Sequence, residues 1–249
     1  NFAMKYKSKQ TTLIIYIIMY RDNIKLLAFD ADDTLWDCQS HFNSVERAYC
    51  KLLADYGTAD EISQALFATE TADMPHLGYG CKAFTISLVE NAIQVSNGKI
   101  SAGKIMEAVS LGRSLLELSA TPLPYVKDTL KDLQERNRYS MVVFTKGEIL
   151  DQENKLRRSG LAKYFDDAVI VADKTKEEYT KLCRRFGVKI DNFMMIGNSF
   201  KSDIEPVLQL GGYAAHIPFH TLWKYEAAEE YDHERLVRLN RFDELIKIL

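Results

Sequence analysis

Two carboxylates one residue apart, Asp30 and Asp32, follow directly on the apolar run Ile24 to Phe29. Such a run reads as a buried strand of a parallel sheet, and open α/β sheets bind ligands in the crevice beyond the carboxyl ends of their strands. Successive side chains of a strand point to opposite faces, so both acids reach one substrate only if the chain curls immediately after Asp30. Asp33 and Thr34 are residue types that favour such a turn. As chemistry, the pair predicts covalent catalysis. Asp30 attacks phosphorus to form an acyl phosphate, while Asp32 gives a proton to the leaving oxygen and takes one from the hydrolytic water. The competing reading is an acidic turn or helix cap behind a core strand, since Asp is favoured at both.

Three later segments share the pattern of a strand or turn ending in a polar group. Met141-Val142-Val143-Phe144-Thr145-Lys146-Gly147 ends an apolar strand in Thr; Asp173-Lys174-Thr175-Lys176-Glu177-Glu178 sets a Lys at a helix start; Phe193 to Asp203 carries Gly197-Asn198 at a strand end and Asp203 five positions after Asn198. With Asp30-Ala31-Asp32-Asp33-Thr34-Leu35, their order and spacing resemble the four motifs of the haloacid dehalogenase superfamily in the form used by its phosphatases. The resemblance covers residues 24 to 203, most of the chain. It departs from the pattern at Asn198, where the family more often has Asp.

The resemblance implies a role for each position. Thr145, with Lys146 and the following amides, would hold a phosphate oxygen at a helix N-terminus. The bland rival is a capping box, because Thr145-Lys146-Gly147-Glu148 has the Thr-x-x-Glu spacing. Lys174 would neutralise Asp30 and the phosphoryl oxygens; its rivals are a solvated surface Lys and the neighbouring Lys176. Lys174 is preferred because the capping box Thr175 to Glu178 leaves it outside the helix, free to point back toward the strand ends. Asp30 and Asp203 would ligate magnesium, a hard cation that takes oxygen ligands and keeps several waters. The family adds the main-chain carbonyl of Asp32 and the Asn198 position as further ligands. Asn offers a carbonyl oxygen but no charge. The rival for Asp203 is a first-turn helix acid favoured by the macrodipole.

Positioning these groups calls for alternating strands and helices, and hence for a doubly wound, Rossmann-like parallel sheet. Strands are expected at 24–30, 140–145, 167–171, 193–197 and 213–217. Val126, Leu130 and Leu133, and likewise Tyr179, Leu182, Cys183 and Phe186, recur at helical spacing, with stops at Ser159-Gly160 and at Gly187. Residues 38–121 interrupt the alternation. Helical patterns at 41–56, 82–95 and 103–118 predict an all-helical insert, which the family resemblance implies is a cap domain closing over the site. The expected division is a core of 22–37 and 122–249, the cap, and an N-terminal extension of 1–21. Thr121-Pro122-Leu123-Pro124 is the expected return hinge. The segment Met74 to Lys82 reads as an interhelical loop, which leaves His76 and Lys82 weak site candidates. His216, His220 and Trp223 read as strand and packing.

The chain has 249 residues and a net charge of −3, with no basic block, so nucleic acid is not an expected partner. Cys38, Cys50, Cys81 and Cys183 lack zinc spacing and are expected as buried free thiols, which suits the cytoplasm. Lys5, Lys7 and Lys9 precede the apolar stretch Leu13 to Tyr20, which is too short to span a bilayer and lacks a small-residue cleavage site. No membrane is expected as a partner, and oligomeric state is left open. The leading reading is a magnesium-dependent phosphohydrolase acting on a small phosphorylated metabolite through phospho-Asp30. One alternative is a 2-haloacid dehalogenase, against which Asp32 argues, since the resembling phosphatases are the members with an acid there. The other is a phosphate-binding or receiver-like switch, which would be shorter and lack the helical insert.

Overall fold

The computed structural model describes residues 21–249, so the expected N-terminal extension lies outside the described residues except for Arg21. Six strands form one wholly parallel sheet in the order β3-β2-β1-β4-β5-β6: β1 Leu26–Phe29, β2 Ser140–Lys146, β3 Asp167–Val171, β4 Phe193–Gly197, β5 Tyr213–His216 and β6 Leu236–Arg238. The five expected strands are all present. The three-residue edge strand β6 was not anticipated, because Leu-Val-Arg is too short to show a period of two.

The apolar strands alternate between two cores. Leu27, Phe29, Met141, Val143, Met194 and Ile196 pack on one face, beside Val126, Leu130 and Leu133 of helix α5 (Val126–Arg136). Leu26, Ala28, Val142, Phe144, Phe193 and Met195 pack on the other, beside Tyr179, Leu182 and Cys183 of helix α7 (Lys176–Arg185). A sheet covered on both faces explains why its strands read as unbroken apolar runs. Gly160 and Gly187 stand at positive φ where helix α6 (Ile149–Ser159) and α7 end, as their sequence positions imply.

Between β1 and α5 lie the four helices of the insert: α1 Gln39–Leu52, α2 Ala59–Leu77, α3 Cys81–Val95 and α4 Ala102–Ser114. They bury a cluster of their own around Tyr49, Leu53, Leu66, Leu88 and Ala108. The Tyr49 hydroxyl donates to the Leu88 carbonyl at 2.8 Å, tying α1 to α3. The segment Met74 to Lys82 differs from expectation. Pro75 lies inside α2, and only 78–80 form the break. Pro75 is two residues from the helix end, where one lost backbone hydrogen bond is outweighed by the packing of α2 on α3. The outgoing and returning connections run side by side: Trp36 bridges Pro122, and the Leu123 amide donates to the Leu35 carbonyl at 2.9 Å.

Among the described residues no helix is long and apolar enough to cross a membrane. All four cysteines are buried and unpaired. Helices α3 and α4 approach closely at Gly112, where an added Cβ would come within 2.8 Å of the Thr85 Cβ. Replacing Gly112 with Ala is therefore expected to destabilise the protein by about 1–3 kcal/mol through overpacking. A lowered melting temperature in circular dichroism checks this, and an unchanged melt would place the two helices farther apart.

Candidate active site

The chain order reverses at β1. The β1–β2–β3 run moves one way across the sheet and β4–β5–β6 the other, which opens a crevice at the carboxyl ends of β1 and β4. Asp30 stands there, one residue past β1, with its amide donating to the Ile196 carbonyl of β4 at 2.9 Å. The chain then curls as its composition requires. The Leu35 amide donates to the Ala31 carbonyl at 2.8 Å, and Asp33 adopts φ 66°, a left-handed conformation that Asp tolerates. The Asp33 carboxylate accepts from the Cys38 and Gln39 amides at 2.8 and 2.9 Å, anchoring the start of α1. Burial raises the Asp33 carboxyl to about 7 in spite of these donors.

Lys174 is buried and its ammonium bridges two carboxylates. It donates to Asp30 and, at 2.6 Å, to Asp203. Lys176, the rival, is exposed in the first turn of α7. Thr175 caps that helix by accepting from the Glu178 amide, which leaves Lys174 outside it. Burial raises the Asp30 carboxyl, Lys174 lowers it, and the neighbouring Asp203 raises it again, leaving it at about 7. Burial works against the Lys174 ammonium, but Asp203 and Asp30 outweigh that and hold it above the ordinary lysine range.

Asp203 lies in a π-helical turn, Phe200–Ile204, that leads into helix α8 (Glu205–Leu210). Its second oxygen accepts from the Ser199 amide at 3.0 Å and packs flat on Gly197, where an added Cβ would come within 2.2 Å of it. The Asn198 amide faces Thr34 Oγ1, Asp30 Oδ2 and the Asp32 carbonyl. With its nitrogen inward it donates to them at 3.1, 3.1 and 3.3 Å. With its oxygen inward it accepts from the Thr34 hydroxyl at 3.1 Å and sets a further oxygen beside Asp30 and the Asp32 carbonyl, where a cation could be held.

Among the described residues no three acid, His or Cys side chains gather into a metal cage. The expected ligand set has only two carboxylate side chains, supplemented by an amide and a main-chain carbonyl. That donor chemistry suits magnesium, which uses few protein carboxylates. With Asp30 ionised, Asp30, Asp203 and Lys174 together carry one negative charge in excess, which also fits a cation.

Asp32 points elsewhere. Its carboxylate accepts from Lys155 Nζ at 2.8 Å, Gln152 Nε2 at 2.8 Å and Trp36 Nε1 at 2.7 Å. Burial raises its carboxyl, but the Lys155 ammonium and these donors prevail and hold it below the ordinary range. Lys155, 2 % exposed, also pairs with Asp151 at 3.3 Å. Thr145 is buried at the end of β2 and lines the same cavity as Asp30, Asp32 and Lys174. The Thr145 capping box does not form: the N-cap of α6 is Glu148, without a side-chain cap. The Lys146 ammonium is taken by Glu226 and by Ser202 at 2.9 Å, and lies 4.2 Å from the Tyr79 ring centroid. Asn198, Asp203 and Lys146 line the cavity too. His76 is exposed, Lys82 pairs with Glu148 at 2.6 Å, and the His216 ring bonds the Asn198 carbonyl at 2.9 Å. Trp223 lines the cavity, whereas His220 meets Ser40 at 3.2 Å.

Sequence reasoning missed Lys155, Gln152, Asp151 and Glu226. The Asp151–Lys155 spacing of i,i+4 was the available signal, but such pairs ordinarily sit in solvent.

A six-stranded parallel sheet with an acid at the β1 tip, a Lys bridging it to a second acid after β4 and a helical insert after β1 defines a class. The chain belongs to the haloacid dehalogenase-like hydrolases, whose family model matches residues 24–211. It is 31% identical to a haloacid dehalogenase-like family hydrolase from Xanthomonas campestris, which superposes with a TM-score of 0.79 over 87% of this chain and 86% of that one. It is also 26% identical to the glyceraldehyde 3-phosphate phosphatase of Methanocaldococcus jannaschii, covering 91% of this chain and 97% of the relative. The enzyme of that name from Methanothermobacter thermautotrophicus is 26% identical too, over 73% of this chain and 80% of the relative.

Two outcomes follow from the charges. Replacing Lys155 with Met leaves Asp32 and Asp151 without a cation, so stability is expected to fall by about 3–5 kcal/mol in denaturant unfolding. A loss under about 1 kcal/mol would mean that the pair is solvated. The cavity wall also holds Glu70, whose carboxyl is raised to about 7 by burial and then by Glu46, with Lys224 opposing. A carboxyl raised in the fold penalises folding once it ionises. The penalty begins at the unfolded value of 4.5 and is complete above about 7. Glu70→Gln is therefore expected to raise the melting temperature by about 2–4 °C at pH 8 and less at pH 5. Equal melts at both values would refute the burial.

Proposed function

We propose that the protein is a magnesium-dependent phosphatase that hydrolyses a small phosphorylated metabolite through a phospho-Asp30 intermediate. The observation that carries the reading is the convergence of Asp30, Lys174, Asp203 and Asn198 in one cavity at the strand ends. The phosphatase names of the two 26% identical relatives support the same reaction class.

The chemistry proceeds in two displacements. An Asp30 oxygen bonds to phosphorus as the bond to the leaving oxygen breaks, and that oxygen takes up a proton to depart as the alcohol. Water then attacks the phosphorus and gives up a proton, and the bond to Asp30 breaks to release phosphate. Asp32, held ionised by Lys155, fits the base of this second displacement. Its pairing opposes the acid role in the first, which requires Asp32 to exchange Lys155 for a proton. Lys174 offsets charge on Asp30 and on the phosphoryl oxygens. Thr145 offers a hydroxyl to the phosphate, and Lys146, tied to Glu226, contributes its backbone end of β2 more readily than its ammonium. Asp30, Asp203, Asn198 and the Asp32 carbonyl would hold magnesium, which would screen the repulsion between carboxylate and phosphate. Helices α1–α4, over residues 38–121, act as the cap domain on the core of 22–37 and 122–249. They supply Phe42, Met74 and Phe84 to the cavity and exclude water from it.

Replacing Asp30 with Asn is expected to lower hydrolysis of p-nitrophenyl phosphate at least about a thousandfold, because the amide is a poor nucleophile. Chelation is expected to silence the wild type, with magnesium restoring it. Turnover by the Asn variant would remove Asp30 from its role, and full activity in chelator would remove the metal.

A further inference from the structure

The cavity above Asp30 is rich in carboxylates and has no ammonium to spare. Its three lysines are Lys146, Lys155 and Lys174. Each is already paired: Lys146 with Glu226, Lys155 with Asp32 and Asp151, and Lys174 with Asp30 and Asp203. On the side of the helical insert the same cavity is lined by Glu46 of α1 and by Glu70 and Asp73 of α2. Ser63 donates to Glu46, and Ser87 donates to Asp73 at 2.6 Å. Glu70 has no such donor; its electrostatic neighbours are Glu46, Lys224 and Asp73, and only Lys224 is favourable.

A second, independent feature points the same way. Asp151 Oδ1 and Gln152 Oε1 are buried acceptors without a hydrogen-bond partner, on residues 5 % and 4 % exposed that line this cavity. Unmet buried acceptors are costly, and an acceptor cannot serve the oxygens of a phosphate dianion. Donors carried by the remainder of the substrate would satisfy these atoms. Phe42, Phe84 and Trp223 add aromatic faces to the lining, which also favour a cation.

We propose that this outer chamber selects phosphate monoesters whose leaving alcohol carries an ammonium group, and that it rejects esters bearing a second anion. The proposal rests on the phosphatase reading above and adds the substrate class. The phosphate lies at Lys174 and the ammonium at Glu70, whose one favourable charged neighbour, Lys224, lies outside this lining. A carboxylate or second phosphate on the leaving group would meet Glu46, Glu70 and Asp73, with the three lysines of the lining already paired.

The test uses the full chain with magnesium at pH 8 and ω-substituted alkyl phosphates of two to five carbons. Each length is compared as its amino, hydroxy and carboxy form, with p-nitrophenyl phosphate as the control for phosphatase action. At the best length, kcat/KM is expected to favour the amino over the hydroxy ester by about tenfold or more, the scale of one hydrogen bond to a charged group. The carboxy ester is expected to be the poorest. Glu70→Gln is expected to reduce the amino-to-hydroxy ratio by about tenfold, chiefly through KM, with Glu70→Asp retaining part of it. Equal use of amino and hydroxy esters, preference for the carboxy ester, or a ratio unmoved in a Gln variant that melts normally would each overturn the proposal. Failure with every ester, the aryl one included, would instead overturn the phosphatase reading.

Discussion

Lys174 is the charge on which the site depends. It is buried between Asp30 and Asp203, two acids brought from different strands to the same crevice. Carboxylates this deep neutralise themselves unless a cation faces them, and one ammonium between two of them leaves a negative excess. That excess favours a cation beside Asp30 and disfavours an anion arriving without one. The sheet supplies the rigidity, since Asp30 and Asn198 directly follow adjacent paired strands.

The same arithmetic recurs along the cavity. Lys155 holds Asp32 and Asp151, and Lys146 holds Glu226, so each lysine of the lining is committed to the protein's own acids. Breaking such pairs leaves uncompensated buried charge, so they persist as fixed parts of the wall. Asp32 is thereby kept ionised and turned toward α6. In the proposed reaction, its readiness as a base and its reluctance as an acid share one cause. Glu70 has no such ion pair among the described residues, and burial, with Glu46 beside it, raises its carboxyl to about 7.

The helical insert gives the cavity its second wall. Its own core around Tyr49 and Leu88 lets it stand as a packed unit, while two adjacent connections, at Trp36 and at Pro122, join it to the sheet. The floor at the strand ends and the outer chamber are therefore built from different parts of the chain. On the proposed reading, reaction class belongs to the floor and the choice of leaving group to the wall, a division that allows one to vary without the other.

What the sequence determined by itself was the part of the protein encoded locally. Apolar runs ending in Asp30, Thr145 and Gly197-Asn198 marked the strands and their tips, because a strand buried on both faces needs such a run and its tip needs a turn. The preference for Lys174 over Lys176 also rested on a local rule, the cap formed by Thr175. The tertiary structure alone decided which charges meet. Lys155 reaches Asp32 across 123 positions, Lys146 reaches Glu226 across 80, and Glu46 lines the cavity from a different helix than Glu70. No periodicity records such encounters, since a lysine on an amphipathic helix reads the same whether it faces water or a buried acid. The physical reason is range: hydrogen-bonded secondary structure is fixed by neighbours in sequence, whereas electrostatic pairing is fixed by neighbours in space.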